Sequence, residues 1–315
     1  MVRDAVTAKD TGIGGKTSGT GGTPEAVGTR KSRRNGADSA AALLEKIAAQ
    51  PDETIDVAEA ALVLASFDHP ATDLEIYREH LRELADVVAQ RTDALTDTDN
   101  AGPEELAGVL TAVISGHFRY RGDEETYDDL DNANLMRVIE RRKGLPVALG
   151  ILYLFAARSQ GWAAVGLNFP GHFLIRLESR DGRRAIIDPF HDGRILETPA
   201  LRELLKVVAG QSVELDAGHY KAVSNRDILL RLQNNVKTRR LDLGMVEDAL
   251  EALTRMQILN PDQPALWREA GLMHMRLGRL KHAIEAFETF VARAADGPDR
   301  QKIAQVVGEL RERLH

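Results

Sequence analysis

The sequence predicts an α+β protein that is mostly α, and three observations carry that reading. Apolar residues recur at spacings of three and four over most of the chain. The period shortens towards two only between Trp162 and Asp188, and the stretch after Ser224 repeats itself at 34 residues. With 315 residues, 43% hydrophobic and 28% charged, the chain can bury a core and suits about two domains.

Residues 1–37 are rich in Gly, Thr, Ser and charge with almost nothing large to bury, so they are expected to form a disordered tail. Within them Gly14-Gly15-Lys16-Thr17 lacks both the earlier glycine and the preceding strand of a phosphate-binding loop. Arg30-Lys31-Ser32-Arg33-Arg34 reads as a solubilising basic cluster. From Asp38 four apolar stripes predict four helices, carried by Ala41 to Ala48, Ala58 to Leu64, Tyr77 to Val88 and Leu106 to Ile114. Short antiparallel strands are expected at Ala164–Phe169, Phe173–Leu177 and Ala185–Ile187, with Asp181-Gly182 turning between the last two. Thr198, as a capping hydroxyl before Pro199, is expected to open a helix over Leu201–Val208.

After Ser224 the pattern is helical and periodic. Leu243-Gly244 precedes Leu277-Gly278 by 34 residues, Ala249 precedes Ala283, Leu253 precedes Phe287 and Met256 precedes Phe290. A 34-residue helix–turn–helix period is the tetratricopeptide signature. Trp267, Ala270, Gly271, His274, Gly278, Ala283 and Phe287 take that repeat's large, small and turn positions, and residues 299–314 read as a capping helix. Two repeats fall short of the three or so that stand alone, so this module should pack against what precedes it. The expected organisation is therefore a tail (1–37), a helical segment with a mixed domain (38–223) and a helical repeat module (224–315).

Composition excludes whole classes of chemistry. Without cysteine there is no disulfide, thiolate ligand, iron–sulfur cluster or cysteine nucleophile. A balance of 41 basic against 48 acidic side chains, net −7, supplies no general attraction for nucleic acid or an anionic membrane. No apolar run approaches the roughly 20 residues that span a bilayer. The expectation is a cytoplasmic protein with protein or peptide partners, bound through the C-terminal repeats, with no nucleic acid, membrane or cofactor.

Three pieces carry the chemistry: Asn132 to Leu149, which includes Glu140-Arg141-Arg142-Lys143-Gly144-Leu145-Pro146; Pro170-Gly171-His172-Phe173; and Asp188-Pro189-Phe190. A Gly-Leu-Pro start to a helix, a histidine opening a strand and an aspartate closing the next follow the order of a nucleophile–histidine–carboxylate triad. Together with Tyr120-Arg121-Gly122, Tyr127, Gly193-Arg194, Arg226-Asp227-Ile228-Leu229 and Asn234-Asn235, these pieces resemble the SirB-one family. In that bacterial group a degenerate transglutaminase-like, papain-like core precedes tetratricopeptide-type helices. The resemblance runs from about residue 50 to the C-terminus and implies a cysteine nucleophile two residues after a glycine, at the start of the helix that ends near Gly161. In this sequence that position is Pro146, and none of Leu145, Val147, Ala148 or Leu149 offers a nucleophile.

His172 and Asp188 match the remaining pair of such a triad, either as a retained base and its orienter or as a hydrogen-bonded pair fixing two strands. His191 and Asp192 stand close enough in sequence to suggest a metal site with them, yet the spacing fits no standard ligand pattern, and no metal is expected. The acidic run Asp123-Glu124-Glu125, Asp128-Asp129, Asp131 reads as a solvated loop, and Asn132 as a cap for the helix beginning at Leu135. Two functions of different class follow. One is a non-catalytic interaction or regulatory protein that keeps the old cleft; the other is a hydrolase or amidase in which His172 activates water and Asp188 orients it.

Overall fold

A computed structural model describes residues 38–95, 101–179, 181–210 and 212–314; the tail, its glycine-rich segment and its basic cluster lie outside them. Four helices come first: α1 (38–48), α2 (Val57–Ser66), α3 (Glu75–Asp93) and α4 (Pro103–Thr111), the last running on through a wider turn at Ala112–His117. They match the four apolar stripes. A two-residue parallel pair follows, β1 (Arg121–Gly122) with β2 (Lys143–Gly144), enclosing α5 (Leu135–Arg141).

Helix α6 (Pro146–Ser159) is the axis of the domain. Its sequence is apolar on every side, the mark of a helix buried all round, and all residues from Pro146 to Leu154 are buried. Each Leu or Ile so removed from water contributes roughly 2 kcal/mol. The helices α2, α3 and α5 pack on it, as does an antiparallel sheet ordered β3-β4-β5-β6. Those strands are Ala163–Leu167, Leu174–Glu178, Arg184–Asp188 and Arg194–Ile195, so the expected three gain a short fourth. Gly182, at φ +83° in the β4–β5 turn, takes the left-handed conformation that glycine adopts without steric cost.

Three local expectations are corrected. Helix α7 (Thr198–Ala209) starts at Thr198 itself, so Thr198 is the first helical residue rather than the cap; Glu197 precedes it and makes no side-chain cap bond. Asn134, not Asn132, caps α5 by accepting from the Arg137 amide, while Asn132 is buried and donates to the Thr126 carbonyl. Asp123 is no solvated acid: it is 1% exposed, accepts from the Thr126 amide and hydroxyl, and pairs with Arg141 at 3.1 Å.

The C-terminal helices are α8 (Asn225–Asp242), α9 (Val246–Leu259), α10 (Pro264–Arg276), α11 (Leu280–Arg293) and α12 (Pro298–Glu312). Gly244 and Gly278 turn between the paired helices at φ +74° and +69°. At Gly271 a Cβ would lie 2.3 Å from the Phe287 ring, which explains a glycine at a helix–helix contact. The main core runs from Leu44 to Ala286 without a break at Ser224, so the C-terminal helices share a core with the preceding ones, as two repeats alone require. Arg226 reinforces the junction by donating to the Ala48, Gln50 and Leu259 carbonyls, and Arg240 pairs with Asp68 at 2.7 Å.

Candidate functional site

The site is built by the two middle strands. Phe173 packs over two glycines, Gly150 on α6 and Gly166 on β3; a Cβ at either would fall 2.4 or 2.6 Å from its ring. This anchors the segment that carries the preceding residue, His172. Gly171 turns into it at φ +61° with Val208 of α7 against its open side. On α8, Arg231 donates to the carbonyls of His172 at 2.6 Å and Phe169 at 3.4 Å and lies over the Phe173 ring.

Asp188 ends β5 with no exposure at all, while His172 retains 8%. His172 Nε2 meets Asp188 Oδ1 at 2.8 Å, which fixes the imidazole. The same carboxylate accepts the amides of Phe190 and His191 on Oδ1, meets His191 Nδ1 at 2.6 Å on Oδ2, and faces the guanidinium of Arg194, its cross-strand neighbour, at 3.4 Å. Burial alone would push the Asp188 carboxyl up, but the bonds and charges of His172 and His191 hold it at about 2. His172 and His191 stack with centroids 5.6 Å apart, and Phe190 closes edge-on against both. No described side chain bonds His172 Nδ1.

Sequence proximity suggested His191 and Asp192 together, and the turn separates them. His191 joins Asp188, whereas Asp192, at φ +55°, lines a different cavity beside Arg119 and Arg142. His172, Asp188 and His191 each present one ligand-type atom within 4.8 Å of the others, a two-histidine, one-carboxylate set. In the folded network these atoms face one another as hydrogen-bond partners. A cation there would have to displace the imidazole protons and share Asp188 with Arg194. Pro146 is the buried first residue of α6, and its missing N–H falls where a helix has no acceptor for one. No sequence pattern marks Arg194 or Arg231 as partners of this site, since Arg231 lies 59 residues from His172 and no local pattern links them.

A transglutaminase-like superfamily model matches residues 75–234, and a tetratricopeptide repeat model matches 243–308. The chain belongs to the transglutaminase-like superfamily. It is 30% identical to a UPF0162 protein of Pseudomonas aeruginosa over 273 residues, 87% of this chain and 96% of that one. A UPF0162 protein of Xylella fastidiosa is 29% identical over 239 residues, 75% and 83% of the two chains. Protein SirB1 of Salmonella typhimurium is 24% identical over 232 residues, 74% and 84%. These matches agree with the SirB-family resemblance. No solved structure matches. Among the described residues no helix is long and apolar enough to cross a membrane.

Proposed function

We propose that this superfamily member is a non-catalytic interaction or regulatory protein whose core keeps the frame of a thiol enzyme without its reactive atom. The observation that carries this reading is Pro146, buried at the start of α6 in a chain without cysteine, while the His172–Asp188 pair is intact at 2.8 Å. Removing a positioned nucleophile leaves only modest residual catalysis even in well-built triads. His172 and Asp188 are then a remnant pair with a structural role, and the partner is a protein or peptide met by the repeat module, 224–315. Leu272 and Met275, exposed one turn apart on α10, support a contact surface there. The same reading puts the protein in the cytoplasm, with no nucleic acid or membrane partner.

The competing reading, an amidase using water, is favoured by one observation: His172 Nδ1 has no hydrogen-bond partner among the described residues, as a base for water would need. A peptide-amide library separates the two. The pseudoenzyme reading expects wild type, His172→Ala and Asp188→Asn to hydrolyse no faster than buffer. Turnover in wild type that both folded variants lose would overturn it.

A further inference from the structure

Among the described residues only three other than glycine adopt a left-handed backbone: Arg119 at φ +60°, Arg142 at +58° and Asp192 at +55°. All three line one cavity of about 790 Å³ between the end of α4, β1 and the turn after β5. Such conformations are disfavoured for residues with a Cβ and gather where a side chain has to be held in place. Glycine would adopt these angles freely; Arg142 spends its side chain on Tyr120 and His80, whereas the Arg119 guanidinium is left exposed at the cavity.

The charges around this cavity do not balance. Arg141 is neutralised by Asp123 and Asp129, at 3.1 and 3.3 Å. Arg119 and Arg121 are exposed and make no side-chain hydrogen bond or ion pair among the described residues. Arg142 has no carboxylate partner: its guanidinium lies 4.7 Å from the centre of the Tyr120 ring and donates to the Tyr120 hydroxyl and to His80 Nε2, the latter at 2.6 Å. An imidazole that accepts from a guanidinium is neutral, and burial, with the Arg142 charge second, lowers the His80 pKa; its other nitrogen faces Glu83 at 3.4 Å. Arg119, Arg121 and Arg142, none with a carboxylate partner among the described residues, therefore line the cavity with a single acid left unpaired by them, Asp192.

We propose that this cavity binds a small phosphomonoester. A phosphate monoester carries close to two negative charges near neutral pH, which matches the surplus of the wall. Guanidinium forks suit its oxygens in a way that ammonium groups do not. The chain as a whole, at net −7, gives no such attraction, so binding is local. The site is separate from His172 and Asp188 and holds whichever reading of that pair is correct.

Titration calorimetry of the full chain with glycerol 2-phosphate tests it. The expected dissociation constant is below about 1 mM, rising at least about tenfold in Arg119→Gly and in Arg121→Gln. Arg119→Gly also relieves the backbone, so its fold should survive, as circular dichroism would verify. Lys281→Gln, an equal loss of charge at an exposed site on α11, should leave affinity unchanged. No heat up to 20 mM ligand, equal weakening by Lys281→Gln, or citrate binding as tightly as the monoester would overturn the proposal. A phosphoserine peptide binding more than tenfold tighter than the free monoester would overturn the small-molecule assignment in favour of a phosphoprotein.

Discussion

On the proposed reading, the start of α6 and the paired ends of β4 and β5 that carry His172 and Asp188 are the two halves of one ancestral device, and they are under different constraints. At α6 the helix needs only a residue that fits its first turn, and proline meets that need without an N–H to satisfy. At Asp188 one buried carboxylate accepts two amides, binds two imidazoles and faces a guanidinium. On that reading a reactive atom at the start of α6 is exchanged for little, whereas the His172–Asp188 pair also holds the strand ends. On this reading the geometry outlasts the chemistry because folding, not catalysis, maintains it.

Substitutions at the two places should differ sharply. The largest effect is expected from Asp188→Ala, which leaves imidazoles and amides without their acceptor; urea unfolding should show a loss of about 3–5 kcal/mol. Gly150→Ala drives a methyl into the Phe173 ring beneath His172 and should cost about 3 kcal/mol by the same measurement. The pH dependence comes next. Asp188 is held at about 2, below the ordinary 3.8, so its stabilisation is complete above pH ~4 and is lost as pH falls through about 2. Asn at that position does not titrate. The stability gap between wild type and Asp188→Asn should therefore be flat above pH ~5 and shrink by on the order of 2 kcal/mol towards pH 2. Pro146→Ala should have the smallest effect, under about 1 kcal/mol, mostly through the unfolded chain. A cost at Pro146 equal to that at Asp188 would break the contrast.

Much of this was legible in the sequence where a period was long enough to register. The four N-terminal stripes and the 34-residue repeat became helices, because a helix that buries one face writes that face at every third and fourth position. The two-residue strands β1, β2 and β6 carry no period to read. His172 and Asp188 were legible as motif residues, but the burial of Asp123 was not, since an acid beside five others looks solvated until Arg141 and Lys143 arrive from α5 and β2. The separation of His191 from Asp192 depends on a single left-handed residue. Arg231 reaches the His172 carbonyl from α8, 59 residues along the chain, a contact that only the assembled core creates.

The central claim, that Pro146 stands where the thiol of a His172–Asp188 frame once stood, is tested most directly by Pro146→Cys. That residue would be the only cysteine in the chain, so thiolate absorbance near 240 nm would report its ionisation without any need for solvent access. A midpoint well below the ordinary thiol value of about 8.5 is expected, moving back up when His172→Ala is added, because a helix N-terminus favours the thiolate and so would the imidazole of His172 in the proposed triad frame. A midpoint at or above 8.5 that ignores His172 would contradict it.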